Sequence, residues 1–189
     1  IANAPNGAAR RKRIASLATE NPSLLAAFED AKRGSECESN YIRSSCRFPL
    51  TGKGDINTYS VFAETFRAVI SGVGRAGFIS PTGLAMDATT AAFFSSLVES
   101  DQLAGLLDFR NAGFFDGVAS AQGVRFAVFG LRGPQLRGEG RPTMVFRAMS
   151  VEEASLEARR ITISSAEMRL LNPNTGNCPQ FMTKKDADI

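Results

Sequence analysis

Three closely spaced glycines, Gly72, Gly74 and Gly77, fit the pattern G-x-G-x-x-G. That pattern binds dinucleotide phosphates when a strand precedes it and a helix follows it, because the phosphate then meets the helix N-terminus. Here the order is reversed. Residues 57–70 have helical apolar spacing, and the following RAGFIS run, closed by Pro81, is typical of a strand. We therefore predict that these glycines end a helix and turn the chain into a strand, without binding a nucleotide.

The composition excludes several kinds of chemistry. The 189 residues include no histidine, which removes Ser-His-Asp and Cys-His nucleophile pairs and the commonest metal ligand. The three cysteines, Cys37, Cys46 and Cys178, form neither a disulfide framework nor a zinc pattern, and favour reduced thiols in a cytoplasmic protein. A net charge of +3 permits a nucleic-acid partner without requiring one. We predict no metal site and, since no apolar run is long enough to span a bilayer, no membrane association.

The elements that position the candidate residues follow from apolar periodicity. Helices are predicted over 8–20, 22–36, 57–70 and 87–100, and strands over 75–80, 103–109, 124–131 and 143–149. A charged helix over 151–160 and a short helix behind a Ser164–Glu167 capping box complete the chain. Alternating helices and strands that are apolar on both faces indicate an α/β fold, a partial doubly wound sheet between flanking helices.

The ordered set of segments between 51 and 131 resembles amino-adenine DNA methyltransferases. The helix N-x-Y-x-x-F-x-E is followed by a glycine-rich turn, a strand ending in Pro-Thr, the sequence D-F-x-N, an F-x-x-V loop and a last apolar strand. The tail NPNTGNCPQF is similar too. The likeness is greatest to the large single-chain restriction–modification enzymes. It implies a Rossmann-like, class I S-adenosylmethionine methyltransferase fold, with S-adenosylmethionine as cofactor and double-stranded DNA as partner.

Two motifs of that family are absent from the sequence. There is no Asn-Pro-Pro-aromatic motif, which holds the target amine, and no glycine-rich cofactor loop. We expect both to lie upstream of Ile1, in a missing N-terminal half of the methylase domain. The expected organisation is a helical segment at 1–50, the downstream half of the methylase domain at 51–150, and the start of a recognition or linker region at 151–189. No catalytic residue is predicted in this chain, and we expect it to be inactive alone.

The resemblance implies a cofactor-binding role for Phe62, with Tyr59 and Asn57 as further candidates. In similar enzymes the phenylalanine of this helix flanks the adenine of S-adenosylmethionine, a contact suited to a flat apolar ring. Helical spacing alone gives the alternative that Phe62 is a core residue. Asn57 is equally well placed as a helix N-cap.

The loop GFFDGV supplies the candidate for DNA contact. The resemblance implies that Phe115 stacks on the target base, which such an enzyme must take out of the duplex; burial of the loop's two rings is the alternative. Asp108 and Asn111, at the end of a strand, are predicted to form a turn. The basic glycine-rich loops add possible phosphate contacts, with plain solvent exposure as their alternative: Lys53, Arg132, Arg137 and Arg141.

The predicted function of the parent protein is transfer of a methyl group to the exocyclic amine of adenine in DNA, within a restriction–modification or phage-defence system. Two alternatives stay open because fold does not fix function. One is a DNA-binding module without enzymatic activity, derived from a methylase. The other is a methyltransferase that acts on RNA or on a protein side-chain amide.

Overall fold

A computed structural model describes residues 1, 3–117, 124–181 and 183–187, with only the backbone described at 184. The chain forms two compact units, Ile1–Arg47 and Phe48–Ile189. Among the described residues, no helix combines the length and the apolar character that crossing a membrane would take.

The first unit consists of two helices that contact each other, α1 (Gly7–Glu20) and α2 (Pro22–Ser44). The predicted boundary between them is confirmed. The side chain of Asn21 accepts a hydrogen bond of 3.0 Å from the Leu24 N–H, and Pro22 takes the first helical position. Helix α2 runs eight residues beyond its predicted end at 36. The basic run at residues 10–13 is exposed.

The second unit contains five strands and six α-helices in its described part. The strands are β1 (Arg75–Pro81), β2 (Leu103–Arg110), β3 (Arg125–Arg132), β4 (Thr143–Ala148) and β5 (Ile161–Thr162). The helices are α3 (Thr58–Val69), α4 (Gly83–Met86), α5 (Ala91–Glu99), α6 (Val151–Ser155), α7 (Ser165–Leu171) and α8 (Lys184–Ala187). The predicted strands are confirmed to within one or two residues, and the capping box of Ser164 and Glu167 forms as predicted.

The strands make one mixed sheet in the order β1-β3-β2-β4-β5. Strand β3 lies antiparallel between β1 and β2, so β1 and β2 run in the same direction, and β4 runs parallel to β2. The connection from β1 to β2 passes through α4 and α5, which is the crossover that two strands running the same way require. Strand β1 is the outermost strand on one side of the sheet.

One face of the sheet carries the main core. Helix α5 buries Phe93, Phe94 and Leu97 against the side chains of Leu106 and Phe129. The chain after residue 150 belongs to this same core, which includes its apolar side chains Ile161, Ile163, Met168, Cys178 and Phe181. Burial raises the pKa of the Cys178 thiol far above its ordinary value, so this cysteine stays a neutral thiol.

The opposite face differs from the prediction of a sheet covered by helices on both sides. Helix α6 packs there through Ala154, in a smaller cluster with Phe109, Phe126 and Val145. Beside this cluster is an open concavity of about 520 Å³. Its floor is a row of three glycines that pair across three strands, Gly77 with Gly130 and Gly130 with Gly105. The apolar pattern of the strands identified both faces as apolar but not which of them is covered within this chain.

The helix–turn–strand prediction for the G-x-G-x-x-G segment is confirmed, with a different role for its glycines. Helix α3 ends at Val69, before the first glycine, and none of the three has a positive φ. Instead, Gly72 and Gly74 lie where the turn after α3 touches the loop after β3. The N–H of Gly133 donates to the Gly74 carbonyl at 2.8 Å, and the N–H of Gln135 donates to the Gly72 carbonyl at 2.9 Å. A Cβ on Gly133 would lie 2.1 Å from the Ser71 carbonyl oxygen, so close backbone approach explains this glycine.

A buried carboxylate joins β1, β2, β3 and β4. Asp108 is fully buried inside β2 and forms an ion pair with Arg125 of β3. It also accepts hydrogen bonds from the Arg147 backbone N–H at 3.0 Å and from the Thr82 hydroxyl at 3.4 Å. The prediction that Asp108 forms a turn is therefore wrong, because the strand continues past it to Arg110 and its oxygens are used inside the sheet.

Replacing Asp108 by alanine should lower the free energy of unfolding by about 3–5 kcal/mol, because the change leaves a partly buried guanidinium and a strand N–H without their acceptor. Urea denaturation followed by circular dichroism measures this. The matched control is Asp116→Ala, which removes an exposed carboxylate from a loop. Equal urea midpoints for the two variants would contradict the role assigned to Asp108.

Candidate functional site

The candidate residues divide between the two edges of the sheet at which its strands begin and end. At the edge where β1 and β2 end and β3 begins, the Thr82 N–H donates to the Arg125 carbonyl, and the Asn111 N–H donates to the Val124 carbonyl. We call this the Pro81 edge. At the opposite edge, named here the Arg132 edge, the turn after α3 meets the loop after β3. Strands of seven and eight residues separate the two edges by roughly 25 Å.

Phe62 lies on α3, and the residue is 59% exposed. The Phe62 ring packs at a tilt against the ring of Phe66. The Phe66 ring in turn contacts that of Phe78 in β1, at a centroid distance of 5.2 Å. The face that α3 buries is instead centred on Ser60, Ala63 and Glu64. The predicted apolar stripe of this helix is thus only partly a core face, and Phe62 is not one of its buried members.

Asn57 and Tyr59 begin α3 at the Pro81 edge. Asn57 occupies the N-cap position, but its exposed side chain makes no capping hydrogen bond, so the amide is not committed to the helix. Partial burial raises the pKa of the Tyr59 phenol, and the nearby Asp87 carboxylate raises it further. Asp87 follows β1 and α4, which places the start of α3 beside the end of β1.

Glu64 fixes the loop that leads into α3. Its buried carboxylate accepts hydrogen bonds from the Leu50 N–H at 3.2 Å, the Thr51 N–H at 2.9 Å and the Thr51 hydroxyl at 2.7 Å. This loop carries Lys53, which is exposed. The carboxylate thereby holds the start of α3 and the Lys53 loop in one fixed arrangement at the Pro81 edge.

Phe115 lies in the loop after β2, at the same edge. The residue is 43% exposed, and its ring meets that of Phe126 edge to face at a centroid distance of 4.9 Å. The side chain of Asn111 fixes the loop backbone, since it accepts from the Phe115 N–H at 3.0 Å and donates to the Phe115 carbonyl at 3.2 Å. The turn-forming role predicted for Asn111 agrees with these bonds. Residues 118–120 of the F-x-x-V loop lie outside the described residues.

The neighbouring ring of Phe114 is packed more closely than that of Phe115. It contacts both Phe109 and Phe126 edge to face, at centroid distances of 5.4 and 5.2 Å. Gly113 and Gly117, on either side of the two rings, have φ values of +91° and +74°. The positive φ values suit glycine, and they let a short loop present two adjacent aromatic side chains.

Three of the four residues predicted to contact phosphate lie at the Arg132 edge, far from Phe115. Arg132 is only 2% exposed, and its guanidinium donates to the carbonyls of Gly140 at 3.0 Å and Leu103 at 3.2 Å. A phosphate could reach it only if the core were opened. Arg141 forms an exposed ion pair of 3.3 Å with Glu167, and Arg137 is exposed in the same loop. Only Lys53 of the four lies at the Pro81 edge.

Sequence reasoning missed the polar residues that hold this edge together. Glu64 is the last residue of the pattern N-x-Y-x-x-F-x-E. Its position on the inner side of an amphipathic helix could have indicated a buried carboxylate. Nothing local identified Arg125, which also donates to the Gln180 side chain at 3.3 Å, 55 residues away. Such a pair depends on strand register, which short motifs do not encode.

The raised pKa of Tyr59 gives a pH-dependent prediction. In a Tyr41→Phe variant, which leaves one tyrosine, absorbance at 295 nm should show Tyr59 ionising above the ordinary value of 10.0. Asp87→Asn should lower this pKa, because it removes the nearby negative charge. Since the unfolded tyrosine ionises first, folding stability should fall as pH rises from the ordinary pKa through the raised one. Glu99→Gln is the control of equal charge, and an equal shift in both variants would contradict the assignment to Asp87.

No protein-family model matches the sequence, and no curated protein matches it. Among solved structures, the chain is similar to the crystal structure of a methyltransferase subunit of the type I restriction-modification system from Streptococcus thermophilus. The sequence identity is 13% and the TM-score is 0.50. The match covers 75% of this chain and 34% of that one, so this chain spans about a third of the subunit's length.

At this identity the likeness concerns the fold. In this chain the sheet is mixed, with β3 antiparallel between β1 and β2 and with helices on the face that carries the core. The predicted fold class is confirmed: the chain is an α/β protein with part of a Rossmann-like sheet, of the kind found in that methyltransferase subunit.

Proposed function

We propose that this chain is part of a methyltransferase that transfers a methyl group from S-adenosylmethionine to the exocyclic amine of adenine in double-stranded DNA. The parent protein would serve a restriction–modification or phage-defence system in the cytoplasm. The observation that carries the proposal is the meeting of two independent features at the Pro81 edge: the start of the Phe62 helix, and a clamped loop that presents Phe115.

The residues of α3 fit one wall of a cofactor pocket. Phe62 is 59% exposed, so its ring offers a flat apolar surface to a purine. The Asn57 amide is free of its helix and can donate to or accept from a polar group, and Tyr59 adds a phenol at the same end. S-adenosylmethionine would supply a methyl group on a sulfonium centre. In this chain the role of Phe62, Tyr59 and Asn57 is to bind and orient it.

The Phe115 loop fits the second task of such an enzyme, which is to hold a base outside the duplex. Stacking of a base on an aromatic side chain contributes about 1–3 kcal/mol. Asn111 fixes the backbone at Phe115 through two hydrogen bonds, so little conformational entropy is lost when a base binds. S-adenosylmethionine would supply the methyl group that replaces one proton of the adenine amine, with the proton passing to solvent, and the role of Phe115 in this chain would be to hold the base.

The proposal includes a second part of the domain, which would bring the motif that holds the amine. Strand β1 has no partner on its outer edge among the described residues. The apolar side chains next to that edge are exposed, on α3 as well as on β1: Phe66, Val69 and Ile79. We call these three residues the α3–β1 surface. An unpaired strand edge that is flanked by exposed apolar side chains, from a helix as well as from the sheet, is typical of a surface that is buried in a complete domain.

We assign this surface to the remainder of the methylase domain, which would add a strand beside β1 and apolar side chains over α3. The extent of the matched subunit supports this occupant, because two thirds of its length has no counterpart in this chain. The domain would then be completed next to Phe62. The proposal also keeps residues 151–189 as the start of a recognition or linker region, although several of their apolar side chains, such as Ile161, Met168 and Phe181, pack in the core of the second unit.

Kinetics of the parent enzyme separate the two aromatic roles. Phe62→Ala should raise KM for S-adenosylmethionine with little effect on DNA binding, because it removes one wall of the cofactor pocket. Phe115→Ala should lower kcat/KM for DNA by about 5- to 100-fold, the equivalent of one lost stacking contact. Both are measured by incorporation of labelled methyl groups into adenine. Leu170→Ala, which removes an exposed apolar side chain elsewhere, should change neither constant. No methylation by the parent enzyme would refute the proposed reaction.

The α3–β1 surface is tested by association of the two parts. Residues 1–189 and the remainder of the methylase domain, produced together as separate chains, should co-purify and regain activity. Ile79→Arg should abolish co-purification, since it puts a charge into the new interface, while this chain stays folded because the Ile79 side chain is already 60% exposed. Leu170→Arg is the matched control. Co-purification that survives Ile79→Arg would refute the assignment of this surface.

A DNA-binding module without enzymatic activity is the second candidate. A parent protein that also lacks an Asn-Pro-Pro-aromatic motif outside these 189 residues would favour it. It requires DNA binding by a parent protein that transfers no methyl group.

A further inference from the structure

The Pro81 edge contains two arginines with no evident structural use. Arg110 ends β2, directly before the Asn111 that clamps the Phe115 backbone. Arg147 lies at the end of β4, where its backbone N–H meets Asp108. Both side chains are partly exposed, and within the described part of the chain neither guanidinium has a hydrogen bond or an ion pair. The other arginines near the sheet behave differently, since Arg125, Arg132, Arg141 and Arg159 all donate to acceptors within the chain.

Arg110 stands in an electrostatically unfavourable place. It is directly opposite Arg125 in the β2–β3 register, and like charges opposite each other in an antiparallel pair are destabilising. The carboxylate of Asp108 compensates Arg125 alone. Asp116, the acidic residue of the described part of the Phe115 loop, is exposed and pairs with neither arginine there. Among the described residues, nothing neutralises the positive charge of Arg110, which is therefore available to a bound ligand.

Arg147 is held in a strained backbone conformation. Its φ is +55°, in the left-handed region that costs a non-glycine residue about 1–2 kcal/mol. It lies where the β2–β4 register shifts, between the pairs Leu107–Val145 and Phe109–Ala148. Asp108 and Arg159 stabilise this bulge, one accepting from the Arg147 N–H and the other donating to the Phe146 carbonyl at 2.8 Å. A glycine would fit this backbone at lower cost, so a side chain here calls for an explanation beyond the fold.

We propose that Arg110 and Arg147 form a phosphate-binding pair that holds the backbone of double-stranded DNA beside Phe115. This inference rests on the proposed function for its choice of DNA. A guanidinium donates to phosphate in a planar, two-point geometry, and such contacts fix the register of a duplex without reading its sequence. Contacts from the end of β2 and from the neighbouring β4 would position a nucleotide for stacking on Phe115. The pair replaces Arg132, Arg137 and Arg141, which lie at the far edge of the sheet.

The test is binding of the 189-residue chain to a fluorescent DNA duplex, followed by anisotropy over a range of salt concentrations. Arg110→Gln and Arg147→Gln should each weaken binding roughly 5- to 10-fold at low salt and lower the slope of log K against log salt by about one, equally for duplexes of different sequence. Arg137→Gln and Arg141→Gln make the same charge change at the other edge, and they should leave both quantities unchanged.

A second variant separates binding from folding. Arg147→Gly should be at least as stable as the unmodified chain in urea denaturation, because glycine adopts a φ of +55° without strain, and yet it should bind DNA as weakly as Arg147→Gln. Weaker binding only in the Arg137 and Arg141 variants would overturn the inference, as would a chain that binds no duplex at low salt or that prefers an RNA duplex. A parent enzyme that binds DNA through Arg110 and Arg147 but transfers no methyl group would overturn the proposed reaction and leave this site standing.

Discussion

The ion pair between Asp108 and Arg125 is the interaction on which the arrangement of the Pro81 edge depends. A fully buried carboxylate has a high desolvation cost, and it is stable here because it accepts from a guanidinium, a backbone N–H and a hydroxyl on three other segments. Those donors come from β3, from the bulge in β4 and from the residue after β1. One side chain thus fixes the relative positions of four strands at the point where their loops begin.

The surroundings of this carboxylate explain why the edge has polar side chains that face outward. Because Asp108 compensates Arg125 and accepts the freed N–H of the bulge, neither Arg110 nor the Arg147 guanidinium is needed inside the sheet. Glu64 is the second buried acid of this kind, because its carboxylate accepts hydrogen bonds that hold the loop before α3 against the helix. Two buried acids hold the framework, and the exposed groups around them, Phe62, Phe115, Lys53 and the two arginines, remain available for ligands.

Local pattern predicted the elements well, and it predicted their environments poorly. The strands, the Asn21 cap and the Ser164 capping box depend on neighbours within four residues, so they could be found from sequence. The exposure of Phe62 could not, because helical spacing shows which residues share a stripe but not what covers it. Likewise, a basic residue in a glycine-rich loop gave no sign that Arg132 is buried, or that Arg137 and Arg141 lie at the opposite edge from Phe115. These properties depend on strand order and register, which connect residues far apart in the chain.

The glycine row on the open face of the sheet limits which side chains could cover that face. Gly77, Gly130 and Gly105 leave backbone as the floor of a concavity of about 520 Å³, and a methyl group at Gly105 would approach the Thr143 carbonyl oxygen to 3.0 Å. Protein interiors tolerate few voids, so a covering layer of ordinary thickness would leave a gap above this row. A segment that covered this face would therefore need its bulkiest apolar side chains where it crosses the glycines, with smaller ones over Leu107 and Val128. The shape of this sheet thus determines where large and where small side chains would fit in a layer packed against it.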